Sequence, residues 1–137
     1  MKTWFARMAV LAVALGSFTV LGVQAADDST PDIETVMKKV NSGKGLQKAL
    51  VGDLKAANVD WDAATKKSKE MLTLISALGK NSPPKGDKAS WEKHTKDYVA
   101  NAKALNEACE KKNKSGAEAA LGKMGKSCKA CHDSHKG

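Results

Sequence analysis

The stretch SCKACHDSHKG, residues 127–137, closes a chain of 137 residues, and its reading decides the fold. Two cysteines three apart, with a histidine directly after the second, form a C-x-x-C-H pattern at Cys128, Cys131 and His132. On a helix Cys128 and His132 share a face. The residues before them keep that register, with Leu121, Met124, Cys128 and Cys131 at spacings of three and four. This predicts a helix from about Gly116 to the end.

Three more amphipathic stretches precede it. One spans about Lys88 to Lys112, with a seam of Trp91, Thr95, Tyr98, Ala102, Leu105 and Cys109. Another starts at DWDAAT with Asp60 as N-cap and runs to about Leu78, on a seam of Trp61, Ala64, Ser68, Met71, Ile75 and Leu78. The first runs from Pro31, suited to an opening helical turn, through about Asn58. Its stripe is Ile33, Val36, Met37 and Val40, continued by Leu46, Leu50 and Leu54, with a break or kink at NSGKG. Gly and Pro punctuate the joins: GKNSPPKG ends the second stretch and KNKSG the third. Three- and four-residue apolar spacing in an Ala-, Lys- and Leu-rich chain predicts an all-α fold, an antiparallel four-helix bundle. Trp61 and Trp91 are expected as core anchors near bundle ends, Met71 and Met124 as core. Cys109 is expected as a buried inert thiol, with intermolecular pairing or a link to a motif cysteine as the sharper alternative.

The N-terminus reads differently. Lys2 and Arg7 precede an apolar run from Met8 to Val23, and small residues at Val23-Gln24-Ala25 suit cleavage after Ala25. Residues 1–25 are expected to be a cleaved signal peptide and 26–137 an exported, periplasmic domain with no membrane segment in its mature form. Formal charge is +8 over the whole chain, and removing Lys2 and Arg7 leaves +6. Arg7 is the chain's only arginine, and the lysines alternate with acids and alanines. That pattern argues against nucleic acid, which is read with arginine forks and aromatic platforms. It suits steering toward acidic partner proteins. No paired carboxylates or activated nucleophile argue for an enzyme.

Four chemistries compete for the Cys128–His132 stretch. C-x-x-C-H is the attachment signature of c-type haem, in which each thiol adds to one haem vinyl group and the histidine supplies an axial ligand. A redox dithiol belongs at a helix N-terminus, where the dipole lowers the thiolate pKa, and this stretch lies at the other end. Zinc usually needs four protein ligands, and the chain has no second paired motif, although Cys109, His94 and His135 are available. A disulfide across so short a loop contributes little. Haem attachment leads, with a haem-free thiol or metal-binding module as the rival from another class.

A helical exported chain of this size, with its one C-x-x-C-H motif at the extreme C-terminus, resembles the class II c-type cytochromes, the cytochrome c prime family. SWEKHTKDYV (residues 90–99) resembles the start of that family's third helix, and GKMGKSCKACHDSHK (residues 122–136) resembles its fourth. The resemblance covers the mature chain and implies one covalent haem c on Cys128 and Cys131, His132 as proximal ligand, and a homodimer in some members. It places the distal residue in the first helix, and DIETVMKKV puts Met37 there. If the Met37 sulfur ligates iron, the haem is His/Met, low-spin and suited to carrying single electrons between redox partner proteins. If Met37 only fills core space, which methionine does well, the iron is five-coordinate and binds NO or CO. The sequence departs from the family where Ile33 stands in place of an arginine, and where His135-Lys136 replaces an aromatic–arginine pair. His94 is expected to face solvent, and His135 to be an exposed terminal residue, with a place near the haem edge one turn beyond Cys131 as the sharper alternative.

Overall fold

A computed structural model describes residues 29–137, so the expected signal peptide lies outside the described residues. The chain forms α1 (Ile33–Asn41), α2 (Leu46–Lys55), α3 (Trp61–Ser76), a 3-10 turn (Leu78–Lys80), α4 (Lys88–Glu110) and α5 (Lys114–His135). These make a four-helix bundle whose first column is broken into α1 and α2. No strand occurs among the described residues, and none of their helices is long and apolar enough to cross a membrane.

Each start is written locally. Asp32 caps α1, its Oδ1 accepting from Thr35 N at 2.6 Å, so Pro31 lies just outside the helix rather than in its first turn. Glu34 in the first turn and Lys38 and Lys39 in the last complement the helix dipole. Asp60, Asp87 and Asn113 cap α3, α4 and α5 in the same way, accepting from Ala63, Ser90 and Gly116. Each such cap satisfies one of the backbone N–H groups that a helix start leaves orphaned.

The break at NSGKG is tight. Gly45 N donates to Ser42 O at 2.8 Å, and a Cβ on Gly45 would lie 2.5 Å from Val40 O, so only glycine fits. At the far end of α4 the chain turns through Lys112, at φ 55°, with Lys112 N on Cys109 O and Asn113 N on Ala108 O. This is a Schellman turn with lysine where glycine is usual.

The core follows the seams. All six seam residues of α4, from Trp91 to Cys109, are buried, as are Ala64, Ser68, Met71 and Ile75 of α3 and Met124 of α5. Trp91 is the buried anchor expected of it, whereas Trp61 is only half-buried at the mouth of α3. The most extensive packing is α4 on α5 and then α3 on α4. Ser68, buried mid-seam, is satisfied by Thr65 O and Asn106 Oδ1. No buried side-chain nitrogen or oxygen among the described residues lacks a partner.

Candidate functional site

The α4–α5 packing leaves the last turns of α5 facing α1 across the bundle. Between them lies a narrow, mostly apolar crevice, lined by Met37 and Asn41 of α1, His94, Thr95 and Tyr98 of α4, Leu78, and Ser127, Cys128, Cys131 and His132 of α5. A second, more open lobe continues along α5 past Ile33, Trp91, His135 and Lys136. Three residues line both lobes: Met37, Cys131 and His132. The four residues singled out in the sequence, separated by up to 95 positions, therefore border one space.

Their helical spacing explains the arrangement. Cys128, Cys131 and His132 fall on one face of α5. Both cysteines are free and half-buried, while His132 is exposed at the cavity rim. Burial pushes both thiols above the ordinary range; for Cys128 the neighbouring Tyr98 hydroxyl opposes this, and for Cys131 the neighbouring Cys128 adds to it. They are held as protonated thiols rather than as the low-pKa thiolate of a redox dithiol.

Met37 is half-buried, and its sulfur accepts a hydrogen bond from Asn41 Nδ2 at 3.2 Å. Tyr98 donates from its hydroxyl to Asn41 Oδ1 at 2.9 Å. Burial is the main cause that raises the Tyr98 pKa well above the ordinary phenol, so its hydroxyl stays protonated and can donate.

Two histidines are not where the sequence put them. His135, expected in solvent, is 2 % exposed. Its Nδ1 lies 2.9 Å from Lys85 O, and because a carbonyl only accepts, Nδ1 is the donor. Its Nε2 meets Ser90 Oγ at 3.1 Å, and the ring stands edge-on to Trp91 and His94 at centroid distances of 5.5 and 5.7 Å. Gly86, at φ 85°, lets the loop close over this ring, since a Cβ there would lie 2.9 Å from Nδ1. His94, also expected in solvent, is half-buried and lines the cavity. His135 thus clasps the end of α5 to the start of α4, fixing the segment that carries Cys131 and His132.

Cys109 is fully buried, as expected. It lies roughly 16 Å along α4 from Tyr98, which faces Cys128, so it is out of reach of the motif thiols. Among the described residues no group of three or more His, Cys, Asp or Glu is arranged to hold a metal ion.

The donor set fits a covalently held haem: two thiols on one helical face, an imidazole one residue beyond the second, a thioether across the cavity, and mostly apolar walls. Sequence reasoning missed Asn41. Its signal was its place four residues after Met37, on the same face of α1.

Comparison with known proteins bears on the half of the bundle that carries the motif. Residues 86–136, which contain all of α4 and α5, match the family described as Cytochrome C'. No curated protein and no solved structure matches the chain.

Proposed function

With residues 86–136 carrying the cytochrome c prime pattern, a family that binds covalently attached haem c, we propose that the protein is an exported mono-haem electron carrier with His132 and Met37 as axial ligands. Cys128 and Cys131 would hold the haem by thioether bonds. Met37 lies outside the matched segment, so its role rests on geometry. The observation that carries the reading is that Met37 borders both lobes of the cavity opposite Cys131 and His132.

Bound there, the haem supplies a one-electron ferric–ferrous couple. The chain's own residues do the rest. His132 and Met37 would hold the iron between an imidazole and a thioether, leaving no position for an exogenous ligand. Leu78 and Tyr98, both buried on the crevice wall, would keep water from the group. Trp91 and the His135 clasp hold the last turn of α5 in register.

The surface supports a protein partner. Lys38 and Lys39 on α1 and Lys123, Lys126 and Lys129 on α5 are exposed on the two helices that border the cavity. Lys129 is offset by Asp133 at 2.6 Å, in an exposed pair of little energetic weight. Net positive charge near the haem favours acidic redox partners. Export to the periplasm is typical of the matched family and consistent with the apolar N-terminus and its small-residue cleavage signal.

Carbon monoxide separates this reading from gas binding. The reduced holoprotein is expected to keep its spectrum under CO, and the Met37→Ala variant to shift. A wild-type spectrum that shifts at once on adding CO would instead favour the five-coordinate, gas-binding reading.

A further inference from the structure

The Met37 sulfur does not stand alone in the cavity wall: a polar chain from α4 reaches it. We propose that Asn41, oriented by Tyr98, donates a hydrogen bond to the Met37 sulfur in the haem-loaded protein and thereby raises the reduction potential. The proposal rests on the reading that Met37 ligates iron.

The orientation of Asn41 follows from donor and acceptor counting. A thioether sulfur only accepts, and the Tyr98 hydroxyl has one hydrogen to give. With Oδ1 toward Tyr98 at 2.9 Å and Nδ2 toward sulfur at 3.2 Å, every group is satisfied. A flipped amide would set oxygen against sulfur, two acceptors with no hydrogen between them. Tyr98 is 6 % exposed and Asn41 half-buried, so bulk water does not compete freely for either.

A thioether sulfur has two lone pairs. One can go to iron while the other keeps the Asn41 hydrogen. That hydrogen draws electron density from sulfur and turns the positive end of the amide dipole toward the metal. Ferric iron carries one more positive charge than ferrous iron and depends more on sulfur donation. The bond therefore disfavours the ferric state. In a water-poor site such a contact is stronger than in solvent. Asn41 is a positioning residue in this scheme, and Tyr98 acts through it.

The test is the midpoint potential of the holoprotein at an electrode with mediators, read together with the far-red sulfur-to-iron band of the ferric form. Asn41→Leu, which keeps side-chain size and removes the donor, is expected to retain the band. It should shift the reduction equilibrium toward ferric by about threefold to tenfold, or about 30–60 mV at 59 mV per decade for one electron. Tyr98→Phe should shift it in the same direction by less. The double variant should fall no further than Asn41→Leu alone, because the two act in series. An unchanged or higher potential in Asn41→Leu with the band intact overturns the proposal, even if melting falls. Should Asn41→Leu fail to take up haem, Tyr98→Phe decides alone, and an unchanged or raised potential there overturns it. Met37→Ala distinguishes the underlying reading: a ferric spectrum indifferent to that substitution means that ligation itself has failed.

Discussion

Replacing His135 tests whether the end of α5 is fixed by side-chain chemistry or merely by helix propensity. His135→Ala removes a buried ring that bonds to Lys85 O and Ser90 Oγ and packs edge-on against Trp91 and His94. Each hydrogen bond contributes about 1 kcal/mol net. The edge contact with Trp91 adds about 0.5–1.5 kcal/mol. The Lys85 carbonyl belongs to an exposed residue and can turn to water, which lowers the cost of its lost partner. The sum is about 2–4 kcal/mol. For a domain of this size 1 kcal/mol moves Tm by about 4 °C, so His135→Ala should melt about 8–16 °C lower. His135→Phe keeps the ring and loses the polar contacts, and it should recover about half of that loss. The assay is reversible thermal unfolding of the haem-loaded protein by circular dichroism, with amide exchange as local readout. Protection should fall first in the closing turn of α5 and the opening turn of α4. A Tm within about 2 °C of wild type, or a loss of protection spread evenly over the bundle, would refute the clasp.

Four further outcomes follow from the same packing. Gly45→Ala and Gly86→Ala each drive a Cβ to 2.5 Å of a backbone oxygen and should destabilise by at least about 1–3 kcal/mol in thermal melts. Gly52→Ala, in α2 with nothing near its Cβ, should stabilise by about 0.5–1 kcal/mol. Asp32 has its pKa held down first by the Thr35 backbone N–H, so its stabilisation of α1 is present above the ordinary carboxylate value of 3.8 and is lost as pH falls through its lowered value. Asp32→Asn should flatten that acid limb in pH-dependent melts. Burial raises the Cys109 thiol above its ordinary value of 9.0, so its share of stability is complete below that value and is lost as pH rises through the raised one. In the haem-loaded protein, where Cys128 and Cys131 would no longer be free thiols, Cys109→Ala should flatten the alkaline limb, the remainder coming from Tyr98, which is raised in the same sense.

How much of this was legible in the sequence follows a physical divide. The α4 seam from Trp91 to Cys109 was readable because apolar residues at helical spacing have only one way to be buried. The cavity's tether side was readable because Cys128, Cys131 and His132 are local to one another. The break between α1 and α2 was marked by Gly43 and Gly45. For His135 the place one turn beyond Cys131 was readable but its burial was not: a polar residue beyond the seam carries no apolar signal, and the loop that covers it lies more than forty residues upstream and closes through Gly86. His94 is drawn to the cavity wall by that same cluster. Asn41 sat in a glycine-bearing stretch that suggested a turn, and its partner Tyr98 is 57 positions away. Tertiary contacts of this kind give polar residues their roles after the apolar pattern has set the fold.

The absorption spectrum of the haem-loaded protein, oxidised and then reduced, tests the central claim most directly. Ligation by Met37 gives a low-spin ferric spectrum with a weak far-red sulfur-to-iron band that disappears in Met37→Ala. A high-spin ferric spectrum, unchanged by Met37→Ala, would contradict it and leave Met37 as packing over a five-coordinate haem.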